Sequence, residues 1–590
     1  MRRARPAPGV LAAALLLVVA GALQAQQPAP PDTALQRPAD LTVSLVPLEE
    51  APGPLPPGSR FTFTRDSLLW TSAYTLAELL AEVPGVYVAR AGFTGQPAPV
   101  FAGGRGPAAL EVFYDGHPVI PLGPDSLAPD PGRISLFGLR RVDVERLPGR
   151  LRVNLVSERN EDVGARTQLR IVSGDFKTGG YAGLFQLRAP NGLGLDLVAD
   201  FFDTQGARPT QRNAQWFDVG AKASWVPSPQ VAAVVQVRRR SYARDSTAAG
   251  VTGVGVAARE DARTDVQIRL LAATQPHRRG LSVDVGLETA AWAADSGTAD
   301  TTLGTRTVHR GFLGVRAAGR AASVDLMTRV ADHYTPVEAR LRAGWVVLAG
   351  LLLSGDGGWA RHDGSRTSVD AGAALALYRG PFSVVGEARW ADAVASPMLA
   401  ADTAQQTLDL AARAGVAWPR VSLHAGLERR DDFAPPPLTA FPGLGALPPS
   451  PAATFAVGDV SLGLGALTLS GWVAEPITGS APSFEPPTRV RAALTFRSKY
   501  WRTFRSGAFD LKLQLAVESW GDGVAGTDLT GAPIPLPGAT IADASLQIQL
   551  AAFNAFYTLR NAFNAREGYV PGLDYPRTIQ TFGVKWTFHN

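Results

Sequence analysis

The sequence predicts a mainly β chain: a transmembrane antiparallel β-barrel of about 22 strands with a small α+β unit in its lumen. Three observations carry this. From residue 164 onward apolar and polar residues alternate with period two, segment after segment. Short connections alternate with long ones through the same region. No stretch after residue 25 has the run of some 18 apolar residues that a membrane helix needs.

In chain order, Met1 to Ala25 reads as a secretory signal peptide. It has Arg2, Arg3 and Arg5, an apolar run from Val10 to Leu23, and Leu23-Gln24-Ala25 before a polar stretch. Its removal lowers the formal net charge from +5 to +2. Residues 26–59 form a Pro- and Gly-rich linker. Residues 60–160 are assigned to the small lumenal domain, and 164–590 to the barrel.

Within the small domain, Thr75 and Glu78 form a T-x-x-E capping box that starts a helix. Leu76, Leu79, Leu80 and Val83 share one face, and Pro84-Gly85 stops the helix. Strands are expected at Val86 to Val88, Leu110 to Tyr114 and Val142 to Leu147. Asp115-Gly116 is a turn, because Gly tolerates positive φ. His117 reads as a surface turn histidine.

In the barrel, Phe217, Val219, Ala221, Ala223 and Trp225 alternate with polar or small residues. So do Leu281 to Leu287, Leu511 to Leu515 and Leu546 to Leu550. Tight turns at 190–192, 227–229, 318–320, 379–381 and 418–420 alternate with longer polar or Pro-rich stretches. The apolar run Ala343 to Leu353 splits into two strands around Gly350. The longest loop, Asp431 to Ala452, carries Phe433 and Phe441. They are expected exposed, either stacking on a ligand or forming part of a stiff loop that closes the mouth. The second is preferred. In the last strand Phe582, Val584, Trp586 and Phe588 share one face, as a barrel-sealing strand should.

Several chemistries find no support. There are no cysteines, so no thiolate site exists. The seven histidines never fall at metal-ligand spacing, so no metal and no cofactor is expected. No G-x-S-x-G or P-loop occurs, and no catalytic residue is assigned: the chain is not read as an enzyme. Arg238-Arg239-Arg240 reads as the solvated end of a strand, and no nucleic-acid partner is expected.

The order helix-VPGV, Gly104-Arg105-Gly106, a strand ending at Asp115-Gly116, then Arg141 to Glu145 resembles the plug domain of TonB-dependent outer-membrane receptors. Asn561, Phe563, Asn564, Tyr569, Pro576 and Arg577 resemble the run that precedes the last strand in that family. There are two departures. Pro148-Gly149 leads straight into Arg150 to Glu158, without the family's small-residue segment. The closing aromatic also sits two residues from the end. The resemblance implies a receptor in the outer membrane of a Gram-negative-type bacterium. Its implied partners are outer-membrane lipids, the TonB energising complex and the barrel-assembly machinery. The ligand would be of the siderophore, cobalamin or oligosaccharide class. The alternative is a plugged passive channel or structural barrel that TonB does not energise. DLTVSLVP at 40–47 stands where the family carries its TonB box; a plain linker is the other reading. The plug-motif residues, structural or gating, are Gly104, Arg105, Gly106, Asp115, Gly116, Arg141 and Glu145. Arg105 is expected to reach a lumen-facing acid such as Asp218, Asp284 or Glu288; the alternative is a solvated loop arginine.

Overall fold

In the computed structural model the described residues are 58–589, apart from 124–127, 161, 207–212, 248–253, 276–279, 295–303, 400–403, 439, 442–443, 445–446, 501–502, 507 and 574. The expected signal peptide and TonB box lie outside them.

Twenty-two strands, each paired antiparallel with its neighbours, close into a barrel. They run from Gly164–Gly174 to Ile579–His589, which pair with each other from Thr581↔Gly174 to His589↔Arg166. Closure leaves no free edge strand. Strand lengths range from 8 to 15 residues. The period-two pattern sorts as expected. Phe217, Val219 and Trp225 point outward, while Asp218 and Ser224 are buried inward. Gly350, at φ 94°, makes the turn between Val337–Leu348 and Leu351–Arg361.

The outer wall carries two aromatic belts. Trp225, Trp345, Phe382, Trp418 and Trp586 are exposed near the short-turn rim. Tyr181, Phe201, Phe217, Trp359 and Trp390 are exposed near the long-loop rim. Phe217 and Trp225 lie on one strand, about 27 Å apart along it and about 20 Å after tilt. An apolar wall bounded by two aromatic rows is the surface of a barrel seated in a bilayer.

The lumen holds a small α+β domain. Its main sheet has β1 (Arg60–Phe63), β4 (Leu110–Tyr114), β5 (His117–Pro118), β6 (Leu139–Leu147) and β7 (Arg150–Ser157), in the order β1-β6-β7-β4-β5. A separate pair joins β2 (Tyr87–Val88) and β3 (Val100–Phe101). The β6–β7 hairpin turns at Pro148-Gly149, and β7 runs parallel to β4. Helices α1 (Arg65–Leu69) and α2 (Leu76–Leu80) cover the sheet. Leu76, Leu79, Leu80 and Val83 pack on Val142, Val144 and Val153, all at 0 % exposure. Each such side chain contributes about 1.5–3 kcal/mol by leaving water.

Helix α2 starts after Thr75, but its cap differs from the expected box. The Thr75 side chain caps nothing, and its backbone bridges Ser135 instead. Glu78 accepts from the Tyr74 N–H at 2.7 Å and pairs with Arg560 of the barrel. The carboxylate is thus shared between the amide that precedes Thr75 and a distant cation, in place of a cap at Thr75.

Candidate functional site

Asp115 and Gly116 both have positive φ, at 48° and 86°, and Tyr114 pairs with His117 across them. This is the two-residue turn whose twist suits a hairpin. The Asp115 carboxylate accepts from the Ser157 N–H and Oγ–H at 2.9 and 2.6 Å, tying the turn to β7. Arg269 of the barrel donates to the Asp115 carbonyl at 2.9 Å and pairs with Asp284.

His117 is 4 % exposed, so it is not a surface histidine. It lies against Phe312, with its Nδ1 3.6 Å from Glu288. Burial lowers its pKa well below the usual imidazole value. Arg269, Arg329 and Arg310 lower it further, so the ring stays neutral despite the nearby carboxylate. The turn residue became buried because the turn points at the wall.

The Gly104-Arg105-Gly106 segment sits at the wall. Arg105 Nε donates to Asp409 at 3.0 Å, and its Nη2 donates to the other oxygen of the same carboxylate. This is the two-pronged grip that lysine cannot copy. The partner is therefore Asp409, on the strand Gln405–Trp418, and not one of the acids named from the alternation. Asp218 pairs with Arg238, Asp284 with Arg269, and Glu288 with Arg310. Arg430 donates to the Gly104 carbonyl at 2.9 Å. A Cβ at Gly104 would lie 3.0 Å from Arg430 Cδ, and nothing stands within 4 Å of one at Gly106. At Gly149, φ is 64° and a Cβ would lie 1.9 Å from Asp409 Oδ2. The bare backbone there lets β6–β7 approach the same carboxylate that Arg105 holds.

Arg141 pairs with Asp143 within the plug at 2.8 Å. Glu145 accepts from Arg342 of the barrel at 2.8 Å and lies 3.6 Å from Arg152. Barrel cations repeatedly hold plug carbonyls: Arg306 on Leu122, Arg310 on Pro118, Lys512 on Trp70 and Lys585 on Leu69. The Arg238 run belongs to this inner surface too. Arg238 is 5 % exposed, pairs with Asp218 and lies over the Tyr114 ring, so it is not a solvated strand end.

The long loops fold inward over the plug. Phe441, Phe484, Trp520 and Tyr569 cluster with Tyr87 and Phe101 of the β2–β3 pair. Phe441 stacks on Phe484 at 5.1 Å and is 1 % exposed. Phe433 is half-buried, with the Arg105 guanidinium 4.9 Å from its ring centre. Neither ring is exposed, and the loop closes over the mouth. Asn561 is fully buried and stitches the 561–578 loop. Its Nδ2 donates to Ala565 and Pro576 carbonyls, and the loop plants Tyr569 against the plug.

Where the loops are short, at 332–336 and 362–366, a cavity of about 370 Å³ opens beside β4. Its wall includes Arg329, Arg340, Arg389, Glu111, Glu338 and Asp370. Burial alone would raise the Glu111 carboxyl. Arg150, Arg340 and Arg152 outweigh it and hold the carboxyl well below the usual range. Among the described residues no group of His, Asp or Glu is arranged to hold a metal ion. The sequence did not single out this arginine-rich wall. Its signal was present as charged residues recurring on the inward positions of strands 306–393.

Residues 56–152 match the family model for the TonB-dependent receptor plug domain. No curated protein sequence matches the chain. Solved structures with the same fold include a mutant of the ferric enterobactin receptor PfeA from Pseudomonas aeruginosa. It is 12 % identical with a TM-score of 0.67, covering 90 % of this chain and 98 % of that one. The siderophore receptor PirA from Acinetobacter baumannii is 10 % identical with a TM-score of 0.68, covering 91 % and 100 %. The copper transporter OprC is 12 % identical with a TM-score of 0.69, covering 90 % and 100 %. Residues 56–152 thus carry a plug domain of the TonB-dependent receptor type, and the 22-stranded barrel around it has the fold of these solved receptors.

Proposed function

We propose that the protein takes up a scarce small ligand across the outer membrane of a Gram-negative-type bacterium, with TonB supplying the work that moves the plug. The observation that supports this best is the grip on the plug. Side chains from strands all round the wall hold it, from Arg269 and Arg310 to Arg342, Asp409, Lys512 and Lys585. A passive channel needs no such closure. In this reading Met1–Ala25 directs export, and the 40–47 segment is where TonB engages. Barrel-assembly machinery inserts the chain beside outer-membrane lipids.

The 370 Å³ cavity is the proposed ligand vestibule, and its size falls in the range of small-molecule sites. Structural relatives are receptors for ferric enterobactin and other siderophores, and one transports copper. A guanidinium-rich wall repels a bare cation and suits an anionic chelate, so the siderophore class is favoured here over free metal. The test is uptake of labelled ferric chelates by cells with and without a proton-motive force. Energy-dependent uptake supports the proposal. Uptake unaffected by collapsing the gradient, with steady conductance of the purified protein in planar bilayers, supports the passive alternative.

A further inference from the structure

A second cavity, of about 50 Å³, lies below the vestibule on the same stretch of wall. The strand Leu351–Arg361 runs from the short-turn rim toward the long-loop rim. Its Ser354 and Asp356 line the lower cavity, and its Gly358 and Ala360 line the upper one. Arg389 lines both. Its Nη1 donates to Asp370 at 2.7 Å and its Nη2 donates to Asp356 at 2.6 Å. A Cβ at Gly372 would lie 2.7 Å from Arg389 Nη2, so the guanidinium occupies room that only a glycine leaves, between the two spaces.

The plug side of this seam is ionic as well. Arg150 reaches Asp370 at 3.1 Å, Arg152 reaches Asp356 at 3.6 Å, and Arg340 donates to Glu111 at 3.1 Å. Charges that part regain water or a ligand as partner. The wall behind them carries small inward residues, Ser354, Gly358, Gly372, Ala374 and Ala391. The barrel wall itself thus leaves room, and it is Arg389, with Arg150 and Arg152 of the plug, that fills it.

We propose that cargo crosses along this seam between the plug and strands 337–393, and that Arg389 is the bar between the upper and lower cavities. The proposal rests on reading the chain as a transporter. Cargo with anionic oxygens fits the route: it can replace Asp370 on Arg389, and Arg152 and Arg342 offer the next guanidiniums inward.

The test uses the purified full chain in planar bilayers, with potassium chloride as the probe. Arg389→Gln shortens the side chain and removes its charge, so conductance should rise several-fold over wild type. Arg170→Gln is the control. That arginine is also buried and pairs with Asp200 half the barrel away, on Gly164–Gly174. It should stay at the wild-type value, with heat-modifiable migration confirming both barrels. A second readout exploits the absence of cysteine. Ser354→Cys in intact cells should resist an impermeant maleimide added outside, and react once Arg389→Gln is present. Should Arg389→Gln not assemble, Arg389→Leu, shorter and uncharged, takes its place with the same outcomes. Wild-type conductance and no labelling overturn the proposal, as does equal opening by Arg170→Gln. Neither readout needs cargo or TonB. A seam that stays shut beside energised uptake sinks only the route; a seam that opens beside energy-independent uptake sinks only the transporter reading.

Discussion

Two parts of the plug–barrel boundary are built from opposite materials. At the dome, Phe101 of the plug stacks on Phe484 at 5.7 Å and Tyr87 of the plug packs against Tyr569 at 6.0 Å. At the seam, Glu111, Glu145, Arg150 and Arg152 of the plug face Arg340, Arg342, Asp356, Asp370 and Arg389 of the wall. The two differ in what separation costs. An aromatic ring returned to water loses about 4–6 kcal/mol at most, from its 150–250 Å² of buried surface. A parted ion pair recovers much of its hydration, so the net loss is smaller. The dome therefore resists opening, while the seam is specific but able to exchange partners.

The largest expected effect breaks both at once. Deleting Thr75 to Gly149 removes the plug half of each boundary and should turn a low-conductance protein into a large open pore. Unchanged conductance would mean that the segment does not block the lumen.

Next comes Arg105→Ala. It leaves Asp409 buried at 4 % exposure with its main partner gone. Stranding one member of a buried pair costs about 3–5 kcal/mol. Barrel assembly should persist, while conductance and sensitivity to large antibiotics rise. Arg105→Lys should restore this only in part, since an ammonium cannot make both bonds. Wild-type permeability and plug protease resistance in both variants would make Arg105 a bystander.

Phe441→Ala tests the dome alone. A buried Phe→Ala change costs about 3–5 kcal/mol, here at the dome and away from the seam. Proteolysis of the Asp431–Ala452 loop should speed up while conductance in bilayers stays at the wild-type value. A jump in conductance equal to that of Arg105→Ala would erase the contrast between the two boundaries.

How much of this was legible follows from the range of each signal. Alternation at Phe217 to Trp225 fixed which side chains face lipid, because the period is local. Asp115-Gly116 and Gly350 were readable because backbone conformation at a turn is decided by the residues in it. The partner of Arg105 was not readable: Asp409 is 304 positions away, and several inward acids satisfy the same pattern. Glu78 shows the same limit, since Arg560 shares the carboxylate that a local cap would use. Phe441 and His117 failed differently. A Pro-rich loop and an Asp-Gly turn both read as surface, and only the tertiary fold shows that these two point inward.

The smallest effect concerns His117, which stands beside the seam with Arg269, Arg310, Arg329 and Glu288 around it. Its pKa is lowered in the seated plug, first by burial and then by the three arginines. A released plug would expose it at an ordinary pKa near 6.5. Above that value both states are neutral and pH has no lever. Below it the released state binds a proton that the seated state refuses, so seating weakens as pH falls. By pH 5 the loss is at most about 2 kcal/mol, at about 1.4 kcal/mol per pH unit. Glu111 and Glu78 act lower. Their depressed pKa values stabilise the seated plug fully above the usual glutamate value, near 4.3, and are lost as pH falls toward the depressed ones. Between pH 7 and pH 5 the plug of the wild type should thus become modestly easier to cleave by protease, and that slope should vanish in His117→Gln. An equal slope in both proteins would place the sensitive group elsewhere and leave His117 as packing against Phe312.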